Sequence, residues 1–147
     1  MKNILYIILA IVLVSACAGN KEAKELFARV ESVMDEHPDS ALALLERAKT
    51  HKDAWSKAQR MRFELLHAKA QNKAYVDFTT DSVMRIVADY YDRHGSANEQ
   101  MRAHYLLGCT YRDLNDAPME LQCFQEATEK AYTTQKDCDL YTLYAIY

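Results

Sequence analysis

The sequence predicts an all-α domain, and three observations carry that expectation. Glycine and proline are scarce, with three and two copies in 147 residues, too few for the many tight turns of a β-rich fold. Strong helix formers (Ala, Leu, Glu, Lys, Gln, Arg and Met) are abundant instead. Apolar residues recur at i, i+3, i+4 and i+7, the stripe of a helix packed on one side.

The first segment stands apart from that pattern. Lys2 precedes a continuous apolar run over residues 4–14, shorter than the roughly 20 residues a spanning helix needs. Ser15, Ala16 and Cys17 follow. A basic start, a short apolar middle and small residues form the order of a secretory signal, so residues 1–16 are set aside from the fold. The stretch Val14-Ser15-Ala16-Cys17 resembles the lipobox of bacterial lipoproteins, which implies cleavage before Cys17 and a diacylglycerol thioether on its sulfur. Such a lipid holds a domain at a membrane without a spanning helix, each buried methylene contributing about 0.8 kcal/mol. The competing reading takes Ala16-Cys17-Ala18 as an ordinary cleavage site that releases a soluble protein. Residues 17–21 then form a short linker, and 22–147 one helical domain with a core of its own.

The helices are read in order. The first carries Leu26, Val30, Val33 and Met34; Pro38 separates it from a second with Ala41, Leu44, Leu45 and Ala48, because proline suits a first helical turn and not an interior. A third is expected from about Ala54, presenting Trp55, Ala58, Met61, Leu65 and Ala68, with Asn72 to Thr80 as the connection beyond it. The fourth, capped by Thr80 or Asp81 and stopped at His94-Gly95, presents Val83, Ile86, Val87, Tyr90 and Tyr91. Two more follow, Asn98 to Leu114 and about Ala117 to Ala131, separated by Asn115-Asp116-Ala117-Pro118, a turn that includes a residue tolerant of left-handed backbone. A seventh begins near Gln135 with Leu140, Leu143, Tyr144 and Tyr147.

Residues 101–134, MRAHYLLGCTYRDLNDAPMELQCFQEATEKAYTT, resemble the tetratricopeptide repeat, a 34-residue helical hairpin. Leu107, Gly108 and Tyr111 fill its large, small and aromatic positions on the first helix, and Phe124 and Ala127 match the second. His104, Glu120 and Tyr132 depart from the usual tryptophan, alanine and proline. ALALLERA, residues 41–48, looks like a degenerate second helix of an earlier copy, with Arg29 where its first helix should have a small residue. The resemblance implies an α-solenoid of about three antiparallel helix pairs plus an unpaired seventh helix. A narrower resemblance is to exported tetratricopeptide lipoproteins of Bacteroidota, through the lipobox-like start and the phrases DEHPDSALALLERA and DSVMRIVADYYDRHGSANEQMRAHYLLGCTYRDLND.

Chemistry finds little purchase in this composition. His37, His51, His67, His94 and His104 lack ligand spacing, and no glycine-rich loop or nucleophile elbow is present. Cys109, Cys123 and Cys138 are odd in number without a metal-binding spacing, and read as small core residues, with a Cys109–Cys123 bridge across a hairpin as the alternative. A formal charge of −3 without a basic cluster argues against nucleic acid as a partner. An enzyme is therefore not expected, and no cofactor.

Hairpin arrays bind protein segments on the concave surface formed by their first helices. The resemblance places Arg102, Tyr105, Cys109 and Arg112 on that surface, and two arginines with a tyrosine suit an acidic or aromatic segment. The expected function is protein–protein interaction by a protein anchored through Cys17 in the bacterial cell envelope, facing the periplasm. The alternatives are the periplasmic sensory arm of a longer signalling protein and an accessory of outer-membrane assembly. The apolar face of the last helix, uncovered by a partner helix, adds the expectation of an N-terminal fragment of a longer chain.

Overall fold

The computed structural model describes residues 21–132. The signal segment, Cys17, all but the last residue of the linker, Cys138 and the expected seventh helix lie outside the described residues. Within them the chain is all-helical, without a strand. Helix α1 covers residues 21–33, followed by α2 (Pro38–Ala48), a 3-10 segment (Lys49–Ala54), α3 (Lys57–Lys73), α4 (Ser82–His94), α5 (Ala97–Asp113) and α6 (Ala117–Tyr132).

Two starts are set by the same device. Ser56 accepts from the Gln59 amide while the Gln59 side chain accepts from the Ser56 amide, and Ser96 and Glu99 repeat this reciprocal box forty positions on. That box begins α3 at Lys57; the stretch expected to open the helix near Ala54 is 3-10 instead. Each box satisfies donors that a helix start leaves open. Ser96→Ala should therefore lower stability by about 1 kcal/mol in urea denaturation.

The ends repeat as well. At the end of α3, the Tyr75 amide donates to Asn72 and the Val76 amide to Gln71; at the end of α5, the Asn115 amide donates to Arg112 and the Asp116 amide to Tyr111. Both are Schellman closures around a left-handed residue, Tyr75 at φ 56° and Asn115 at φ 59°. Asn115 falls in the turn expected between α5 and α6; Tyr75 falls in the stretch read as connection, where no left-handed residue is expected. Helix α1 ends at residue 33, forty positions before the end of α3. Burial keeps the same register: Ala23, Phe63 and Ala103 are all fully buried, as are Val30, Ala70 and Thr110.

Helix α3 lies between two cores. Phe63, Leu66 and Ala70 pack with Phe27, Val30, Met34, Leu45 and Trp55. Leu65 and Ala68, on its other side, pack with Met84, Val87, Ala88, Tyr91, Leu106 and Cys123. Consecutive helices pack against one another, and α3 also touches α5. The face expected for α4 holds at Val87 and Tyr91, which are buried, and is corrected at its edge: Met84 and Ala88 are buried with them, while Val83 and Ile86 are exposed. Val83 and Ile86 invited a core assignment by hydropathy, but the helix is turned so that Met84, Val87, Ala88 and Tyr91 meet α3 and α5. Gly95 ends α4 in extended backbone, where a Cβ would lie 2.7 Å from the Tyr91 ring.

Where the repeat resemblance expects tryptophan, His104 is buried. Its Nε2 sits 3.0 and 3.1 Å from the two Asp92 carboxylate oxygens. Its Nδ1 is 2.9 Å from Glu126 Oε2, a close contact outside hydrogen-bond geometry. Lys130 Nζ completes the cluster, 3.1 Å from Asp92. A polar bolt through α4, α5 and α6 thus replaces the expected apolar wedge.

Candidate functional cleft

The C-terminal ends of α1, α3 and α5 leave an open cleft of about 500 Å³, lined by Asp35, Pro38, Asn72, Lys73, Tyr75, Tyr105 and Arg112. The forty-residue register produces it. Three helices ending at corresponding places put the turn after α1, the last turn of α3 and the last turn of α5 side by side.

Of the four residues expected on the concave face, Tyr105 and Arg112 line this cleft. Arg112 donates through Nε and Nη2 to Asp113 Oδ1, at 3.0 and 2.9 Å, and through Nη2 to Asn72 Oδ1 at 3.3 Å. The other Asp113 oxygen accepts from the Phe78 amide at 3.1 Å. Asp113 is thereby fixed, and it fixes the guanidinium across the α3–α5 gap. Tyr105 is half-buried; burial, then the neighbouring Cys109, push its hydroxyl up to about 12.

Cys109 requires a correction. Its thiol is fully buried, so it is floor beneath Tyr105 and not a contact surface. Burial raises it to about 11, which keeps it protonated and unreactive at neutral pH. Cys123 is likewise a buried free thiol, and the two are not bridged. Arg102 is half-buried and does not line the cleft, but its charge reaches Asp35.

Asp35, Asn72, Lys73 and Tyr75 were not anticipated as site residues. Asn72 to Tyr75 fell in a stretch read as connection, and nothing local in the sequence places Asp35 beside it. Lys73 Nζ lies 3.1 Å and Lys69 Nζ 3.8 Å from Asp35 Oδ1. The hydrogen bond from Lys73 holds the Asp35 carboxyl below the usual carboxylate range, against a smaller opposing effect of burial and with help from the charges of Lys69 and Arg102.

Two more carboxyls are depressed. For Asp92, burial pushes upward, but hydrogen bonds from His104 and Lys130 outweigh it; for Glu46, the hydrogen bond from His67 leads. All three are more acidic folded than unfolded, so the unfolded chain takes up more protons in acid. Their stabilisation is complete above the usual carboxylate range and is lost as pH falls through it. Thermal unfolding followed from pH 7 to 3 should show the midpoint falling below about pH 4.5. Asp92→Asn should flatten that fall.

Comparison with protein-family models, with curated proteins and with solved structures finds no match. The reading of the cleft therefore rests on its own residues and geometry.

Proposed function

We propose that this is a tetratricopeptide-like protein of the bacterial cell envelope, held at a membrane by lipid on Cys17, that binds a segment of another protein in the α1–α3–α5 cleft. The cleft is the observation that carries the reading. It is concave and open, and it is formed by successive helices related by one register, the arrangement by which helical arrays present a binding surface. The shared capping boxes, Schellman closures and burial pattern of α3 and α5 support an array of related hairpins. No described helix is long and apolar enough to cross a membrane, and the lipid on Cys17 supplies the anchor in this reading.

Two experiments test it. A photo-crosslinking amino acid at Tyr105 of the full chain, expressed in cells, is expected to give a discrete protein adduct that Arg112→Glu abolishes. Adducts formed only from Ile86, exposed on α4 and outside the cleft lining, would locate binding elsewhere and overturn the cleft. Fatty-acid labelling tests the anchor, because a Cys17→Ser protein that still takes up label rules out the lipobox reading.

A further inference from the structure

We propose that the cleft takes an acidic segment of its partner, and that Asp35 occupies the place of an incoming carboxylate beside Lys73 until that segment displaces it. This deepens the binding reading above and rests on it.

The two carboxylates at the cleft differ in kind. The Asp113 side chain is 9% exposed and has both oxygens engaged, one by Arg112 and one by the Phe78 amide. Removing it would unseat Arg112 and the α3–α4 connection at Phe78 together. The Asp35 side chain is 73% exposed, and its contacts are ion pairs to Lys73 and Lys69. It lies just past α1 in a turn, where its release disturbs no packed side chain. An exposed pair of this kind contributes little, so a ligand carboxylate that also reaches Arg112 replaces it at a gain.

The local charge selects the sign of the ligand. Lys69, Lys73, Arg102 and Arg112 gather around Asp35 and Asp113, in a chain whose overall charge is −3. The depressed Asp35 carboxyl reports the field felt by a carboxylate at that spot. The carbonyl ends of α3 and α5 do not reverse this, because their Schellman closures already engage them. A cationic segment would instead meet Lys73 and Arg112 in the cleft lining.

Tyr75 adds the second requirement. Its side chain is 94% exposed at the rim of the cleft, on left-handed backbone that a tyrosine rarely adopts. The corresponding turn of α5 carries Asn115, for which that backbone costs little. A local rule broken beside a cleft points to a role in binding. An exposed phenol ring next to Val76, itself 46% exposed, offers apolar surface to a residue adjoining the ligand's carboxylate.

The test is selection of random dodecapeptides displayed on phage against the full chain in detergent micelles. The selected sequences are then made with amidated C-termini and measured by fluorescence anisotropy. The expected peptides carry Asp or Glu beside an apolar or aromatic residue. Lys73→Ala and Arg112→Ala should weaken them about tenfold, and Tyr75→Ala severalfold. Asp35→Asn should tighten them about two- to fivefold, the release of one exposed ion pair. Circular dichroism checks that these surface variants stay folded. Selected peptides that are neutral or basic overturn the acidic assignment while leaving the binding reading intact. Unchanged or weaker affinity in Asp35→Asn overturns the placeholder role. A selection that yields no binder overturns the binding reading itself.

Discussion

Phe63→Ala is expected to lower the unfolding free energy by about 3–5 kcal/mol, the range for truncating a large buried aromatic. Phe63 is fully buried at the middle of the core that joins α1, α2 and α3. Its ring lies 5.4 Å from Trp55 and 5.9 Å from His67, with Lys52 Nζ 5.5 Å from the ring centroid. The residues around the void are anchored on three helices, which limits how far they can collapse into it. Domains of this size have only about 5–15 kcal/mol in total, so the loss is a large share of the whole. Urea denaturation measures it, with the single tryptophan, Trp55, as a probe inside the affected core. Phe63→Leu, which keeps most of the volume, should cost less than about 1.5 kcal/mol. Because Leu65 and Ala68 face the other core, hydrogen exchange should show protection falling first in α1 and α2 and later in α5 and α6. A cost below about 1 kcal/mol for Phe63→Ala would contradict the packing described here.

That same two-sided helix marks where sequence reasoning succeeds and where it stops. The hairpin of α5 and α6 was legible: Leu107, Gly108, Tyr111, Cys123 and Ala127 are buried, and the helix bounds lie within a residue of expectation. The match to the repeat served there as the guide, helped by the turn between the two helices, although α5 is buried on more than one face. Helix α3 has two buried faces, so no single apolar stripe describes it, and Phe63, Leu66 and Ala70 were missed. In α4, Val83 and Ile86 were chosen for hydropathy, whereas a turn of the helix about its axis decides between them and Met84 and Ala88. The cleft was half legible for a related reason. Tyr105 and Arg112 share one helix and follow from its resemblance to the repeat. Asp35, Lys73 and Tyr75 join them only through the forty-residue spacing of the helix ends, set by the 3-10 segment after α2 and the long connection after α3. A 34-residue template hides that spacing outside the last pair.

Gly108→Val is expected to cost about 2–4 kcal/mol, although valine is a better helix former than glycine in isolation. A Cβ at position 108 would stand 2.4 and 2.5 Å from two carbons of the Phe124 ring, closer than any non-bonded carbons rest. Relief requires the ring to move or α5 and α6 to separate. The ring is not free to move without consequence, because it stacks on Tyr105 at 5.7 Å between centroids with an interplanar angle of 28°. Separation would strip contacts from Cys109, Thr110 and Tyr111, all buried on α5. Chemical denaturation gives the size of the loss, and the double variant Gly108→Val with Phe124→Ala gives its cause. If the clash with the ring is responsible, removing the ring should recover part of what valine cost, so the pair should be less destabilised than the sum of the two single changes. Additive losses would assign the cost to the backbone instead. Since Tyr105 lies between Phe124 and the cleft, Gly108→Val should also weaken peptide binding while leaving Lys73 and Arg112 chemically intact. The close approach of two helices and the shape of the cleft are then one property, held by the absence of a single methyl group.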